Sequence, residues 1–111
     1  MSKESIKVKT IDVTAKEWFD GRNGNSYFSG LISINYGMDD AATLRMPFQY
    51  GYGDHYIDIA KRELVKAGFI KADKLTALWK YCDDNNIILR TQKYENCLEK
   101  DVVSFGYREK Q

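Results

Sequence analysis

Two consecutive stretches of this chain alternate apolar and polar residues with a period of two, on either side of one short turn. In the first, Phe28, Gly30, Ile32, Ile34 and Tyr36 fall on one face. Ser29, Ser33 and Asn35, with Tyr27 and Leu31, fall on the other. In the second, Leu44, Met46, Phe48, Tyr50 and Tyr52 share a face, and Thr43, Arg45, Pro47 and Gln49 take the opposite one. Gly37-Met38-Asp39-Asp40 between them reads as a turn. A strand points successive side chains to opposite faces, so the pattern calls for an antiparallel hairpin with one buried face. Pro47 has no N–H to give to a ladder, which puts the second strand at a sheet edge or makes it bulge there.

The segments around this hairpin supply its cover. Residues 6–13 read as a strand, with Ile6 and Val8 alternating with lysines and Ile11 and Val13 resuming after a one-residue slip. Thr14-Ala15-Lys16-Glu17 matches a capping box, predicting a short helix through Trp18 and Phe19 that Gly21 and Gly24 end. A helix follows the hairpin, from an Asp54 N-cap to Ala67 with Gly68 as the left-handed residue after it. Its buried stripe is Tyr56, Ile59, Ala60, Leu64 and Ala67. A second helix starts near Asp73, and Leu75, Leu78, Trp79 and Cys82 form its apolar stripe. Asn85-Asn86 ends it, and strands follow over residues 87–94 and 101–107. The expectation is an α+β fold of order β-(short α)-β-β-α-α-β-β, a mainly antiparallel sheet with helices on one face.

Size and charge bound the function classes. At 111 residues, without internal repeat or Pro/Gly-rich linker, residues 1–111 read as a single domain. Hydrophobic residues make up 43% of the chain, enough for a core without metal or disulfide support. Seventeen basic residues against sixteen acidic ones argue against a dedicated non-specific nucleic-acid binder and against a DNA mimic. Met1-Ser2-Lys3-Glu4-Ser5-Ile6-Lys7 carries charges where a signal peptide needs an apolar run, and no apolar run is long enough to cross a bilayer. Cytoplasmic location, no membrane partner, and unpaired thiols at Cys82 and Cys97 are therefore expected, with Cys82 in the core.

The densest candidate for chemistry is Pro47-Phe48-Gln49-Tyr50-Gly51-Tyr52-Gly53-Asp54-His55-Tyr56, a strand running through two glycines into a helix N-terminus. It has two readings. The glycines can simply shape a tight turn with the tyrosines finishing the core rim. Alternatively, Gln49, Tyr50, Tyr52, Asp54 and His55 form a surface for a partner or a nucleotide, with a phosphate on the glycine backbone and a tyrosine stacked on a base. Asp54 at the cap opposes a phosphate, and the lysine and Ser/Thr of a P-loop are missing. The loop Gly21-Arg22-Asn23-Gly24-Asn25-Ser26 reads either as a connection or as added recognition through Asn23 and Asn25.

Enzyme chemistry finds little footing in the sequence. His55 is the only histidine, and Asp54 or Asp58 could orient it, but no serine or cysteine lies in a nucleophile motif. Zinc would need His55, Cys82, Cys97 and Asp83 or Asp84, without CxxC or HxxxH spacing to support it. No catalytic residue, metal or cofactor is expected. Arg90, Gln92 and Tyr94 share a strand face near Lys93, Lys100, Arg108 and Lys110, as in a platform for single strands. Glu95, Glu99, Asp101 and Glu109 dilute that field.

Ala15-Lys16-Glu17-Trp18-Phe19-Asp20, Asn23-Gly24-Asn25-Ser26-Tyr27-Phe28, the segment from Pro47 to Tyr56 just given, and Glu95-Asn96-Cys97-Leu98-Glu99-Lys100-Asp101-Val102-Val103 together resemble a group of short, mostly unannotated proteins encoded by tailed bacteriophages. The resemblance spans nearly the whole chain and carries no catalytic or binding residues. It implies an accessory protein in the cytoplasm of an infected host. The expected function is a binder that inhibits or redirects a host protein or complex, such as a defence component. The alternative is a nucleic-acid-associated accessory of phage replication or transcription.

Overall fold

The computed structural model describes residues 7–107, which form one four-stranded sheet and three helices. The strands are β1 (Thr10–Asp20), β2 (Asn25–Ile34), β3 (Ala42–Tyr50) and β4 (Ile88–Tyr94); the helices are α1 (His55–Lys66), α2 (Leu78–Asp84) and α3 (Glu99–Tyr107). Strand order is β3-β2-β1-β4. β1, β2 and β3 are antiparallel neighbours, whereas β4 joins β1 in parallel after the α1–α2 connection, so the sheet is mixed. The fold is α+β, as expected. Ile6 and the C-terminal Arg108, Glu109 and Lys110 lie outside the described residues.

The hairpin forms where the alternation put it, and β3 is an edge strand. Phe28, Ile32, Ile34 and Met46 are buried on one face with Ile11, Val13 and Ala15 from β1. α1 closes this face through Tyr56, Ile59, Ala60 and Leu64, and α2 adds Leu78 and Cys82. α1 ends as its sequence asked. Gly68 adopts φ +86°, its N–H donates to Val65 O, and Phe69 N–H donates to Leu64 O, a pairing that needs a left-handed residue. Asn86, at φ +57°, ends α2 in the same way, with Ile87 N–H donating to Cys82 O.

Several expectations fail, each for a physical reason. The capping box at Thr14 builds no helix. Residues 14–20 continue β1, paired with β2 from Ile11↔Ile34 to Asp20↔Asn25. A helix of one or two turns is marginal alone, and the ladder pairs every residue of that stretch while burying Ala15. The strand expected over 101–107 is α3, whose first turn carries Glu99 and Asp101 beside the positive end of the helix. α3 lies on the sheet face opposite the main core: Ser29 Oγ donates to Val102 O, and Val102 is fully buried. Gly106 sits so close that an added Cβ would lie 2.5 Å from Ser29 Cβ and 2.7 Å from Met46 O. Helices therefore cover both faces, not one.

The β3 register slips between Phe28 and Gly30, so Pro47 and Phe48 together oppose Ser29. That bulge splits the expected apolar face. Leu44 and Met46 stay with the core, while Phe48 and Tyr50 turn to the opposite face beside Tyr27. Tyr36 falls outside β2 and is 74% exposed, because Asn35 breaks the strand at φ +53°. Asn35 is buried instead. Its Oδ1 accepts from Lys9 N–H at 2.7 Å, and its Nδ2 donates to Lys7 O and Asp40 Oδ1. A short polar side chain tolerates that backbone and ties the strand end to the chain entering β1.

Candidate functional site

β3 leaves the sheet at Tyr50, and residues 51–54 carry the chain to the start of α1. Gly51 is buried, and a Cβ there would come within 2.6 Å of Phe28 and 2.7 Å of His55. The His55 ring packs edge-on against Phe28 with centroids 6.0 Å apart. Beneath the loop, Lys93 Nζ donates to Gly53 O at 2.9 Å and lies 2.7 Å from Glu17 Oε1, with both charged side chains only 13% exposed. Burial pushes the Lys93 ammonium down, but its bonds to Glu17 and Glu95 outweigh that, and its pKa is raised. The loop is thus held from below by a largely buried ion pair.

Above the loop is an open groove of ≈ 680 Å³ between the end of β3, the first turn of α1 and the first turn of α2. Tyr50, Tyr52, Asp54, His55, Asp58 and Trp79 are among its lining residues. Tyr52 is 66% exposed and Trp79 63%, and Tyr50 meets Tyr52 edge-on at 6.3 Å. A row of rings runs into the groove from the sheet. Trp18 stacks on Tyr27 at 5.5 Å, Tyr27 stacks on Phe48 at 5.3 Å, and Tyr27 meets Tyr50 edge-on at 5.9 Å. The bulge at Pro47 makes this row, since without it Phe48 and Tyr50 would face the core.

The structure brings Tyr50, Tyr52, Asp54 and His55 together and leaves the other three sequence candidates apart. Gln49 pairs opposite Phe28, and its Nε2 donates to Pro47 O at 2.9 Å. Asn23 belongs to the β1–β2 turn, where its Nδ2 donates to Asp20 Oδ2 and Gly24 supplies φ +73°. That bond from Asn23 holds the Asp20 carboxyl below its ordinary pKa. Asn25 pairs with Asp20 at the end of the ladder. None of the three lines the groove. Asp54 occupies the N-cap position of α1, but its side chain makes no capping bond.

Of the expected apolar stripe Leu75, Leu78, Trp79 and Cys82, only Leu78 and Cys82 are buried. Leu75 is 95% exposed. The Asp73 carboxylate accepts from Leu75 N–H, Thr76 N–H and the Thr76 hydroxyl, which lowers its pKa through the Thr76 bond first. Residues 73–76 are therefore a side-chain-held turn, and α2 begins only at Leu78. With Leu78 and Cys82 inward and Tyr81 half-buried, the stripe is rotated so that Trp79 faces the groove. The signal was the Asp73–Thr76 spacing, an i to i+3 capping pair followed by too little chain for a long helix.

Of the remaining candidates, Arg90 and Lys93 are engaged in ion pairs. Arg90 makes a two-bond ion pair with Asp12, at 2.6 and 3.1 Å, which raises the guanidinium pKa. Lys93 faces the loop described above. Gln92 and Tyr94 are exposed on β4. Cys82 and Cys97 are free thiols; burial pushes Cys82 up to about 11, and Cys97 Sγ lies 3.3 Å from Tyr94 O. Among the described residues, no three His, Cys, Asp or Glu side chains are grouped to hold a metal, and no helix is long and apolar enough to cross a membrane. Compared with protein-family models, curated proteins and solved structures, the chain matches none.

Proposed function

We propose that this chain is a small binding protein that engages a partner protein through the groove between β3, α1 and α2. By its likeness to phage-encoded proteins, it acts in the cytoplasm of an infected bacterium, where it inhibits or redirects a host factor such as a defence component. One observation carries the reading: Tyr50, Tyr52 and Trp79, all more than half exposed, converge on one groove while the core closes without them. Clustered tyrosine and tryptophan side chains with few rotatable bonds are the usual anchors of protein interfaces. Neither serine nor cysteine lines the groove beside His55, so a binding role has more support than a nucleophilic one. The nucleic-acid reading has less, because Arg90 is engaged by Asp12 and Lys93 by Glu17.

The test is a paired measurement on Tyr52→Ala with Trp79→Ala. The tagged full chain is used as bait in lysate from infected cells, and the melting temperature is taken on the same preparation. The expected result is loss of partner capture by about tenfold or more, with melting within a few degrees of the parent. A variant that melts far lower yet still captures its partner overturns the reading and returns these rings to the core rim.

A further inference from the structure

We infer that the groove accepts an arginine side chain from a basic segment of the partner protein. The inference rests on the groove being the contact surface and specifies its chemistry. Its lining holds Asp54 and Asp58 and no lysine or arginine. Asp54 does not cap α1, and among the described residues neither carboxylate has a hydrogen-bond or ion-pair partner. The helix N-terminus contributes roughly +0.5 of a charge. Two carboxylates outweigh it, so the field inside the groove favours a cation.

The walls decide which cation. Tyr50, Tyr52 and Trp79 present ring faces and edges that a flat, weakly hydrated guanidinium can stack on while its N–H groups fork onto a carboxylate. An ammonium is more strongly hydrated and cannot make the same planar contact. A phosphate or nucleotide would meet two unpaired carboxylates with no lysine or arginine in the lining to offset them. The same features therefore oppose the phosphate that the glycine-bearing turn suggested.

The experiment titrates the full chain with an acetylated, amidated peptide of alternating glycine and arginine, following the Trp79 indole and tyrosine ring signals by NMR. Matching peptides carry glutamine, lysine or glutamate in place of arginine, and adenosine monophosphate is a fifth probe. The arginine peptide is expected to move the Trp79 signal saturably, about tenfold more tightly than the glutamine peptide, with affinity falling as salt rises. Asp54→Asn with Asp58→Asn should reduce it to the glutamine level, with the melting temperature falling by no more than a few degrees as α1 loses two carboxylates at its positive end. Equal binding of the glutamine or glutamate peptide, no shift at Trp79, or a stronger response to the nucleotide overturns the inference. The two proposals fail separately. Partner capture lost in Tyr52→Ala with Trp79→Ala but kept in the double asparagine variant sinks the arginine inference alone.

Discussion

The two faces of the sheet are built by different rules. On one, Ile11, Val13, Ala15, Phe28, Ile32, Ile34 and Met46 are buried beneath α1 and α2. On the other, α3 docks through small groups, with Ser29 bonding Val102 O and Gly106 against the strand backbone, while Trp18, Tyr27, Phe48 and Tyr50 keep part of their rings in water. The first face gains stability from apolar area, which is non-directional. The second depends on close fit, and its aromatic row leads to the groove. Aliphatic burial and the aromatic row thus lie on different sides of the same strands and meet at the end of β3, beside the groove proposed for recognition.

That contrast can be broken most directly on the aliphatic face. Ile32 is fully buried, so Ile32→Ala should cost about 2–5 kcal/mol in urea unfolding, a large part of a domain's stability. A loss under 1 kcal/mol would remove the distinction between the faces.

The ion pair at the end of this face sharpens the comparison, because charge rather than area holds the loop there. Lys93→Gln leaves Glu17 without its cation and should cost about 1–3 kcal/mol. Since the folded Lys93 pKa is raised, its contribution is complete below the unfolded value of about 10.4 and is lost as pH rises through the folded value. Cys82, raised to about 11, removes stability in the same alkaline direction, so only the difference between parent and variant isolates Lys93. The stability gap between them should narrow above about pH 10. A gap constant to the end of the alkaline range would place the ion pair outside the stability of the loop.

On the second face the sign of one substitution is diagnostic. Glycine to alanine in an exposed helix gains up to about 1 kcal/mol from propensity. At Gly106 the added methyl meets Ser29 and the Met46 carbonyl, so Gly106→Ala should instead destabilise by about 1–2 kcal/mol. Stabilisation by this variant in thermal unfolding would mean that α3 does not seat on the sheet through this glycine.

Part of the candidate site was legible because its residues are consecutive. Tyr50, Tyr52, Asp54 and His55 come from one strand-to-helix turn, and glycines marked that turn. Trp79 was not legible, because its side is set by the helix phase, and the Asp73 turn resets where α2 begins. Asn23 carried a turn signal and a recognition signal that look alike in sequence. Its bond to Asp20 accounts for it as a turn residue.

The sequence by itself determined what repeats locally. These are the β2–β3 hairpin, the core face of β2, the stripe of α1, its Gly68 stop, and the edge position or bulge at Pro47. Each follows from a period or a backbone restriction acting within a few residues. Only the tertiary structure decided that residues 14–20 extend as strand, that 99–107 coil as helix, and that β4 runs parallel to β1. For segments of one or two turns, helix and strand preferences differ by little, so pairing and burial elsewhere in the fold choose between them. The bulge acts in the same way. One extra residue opposite Ser29 reverses the face of everything after it, and that reversal carries Phe48 and Tyr50 out of the core and into the row that reaches Tyr52.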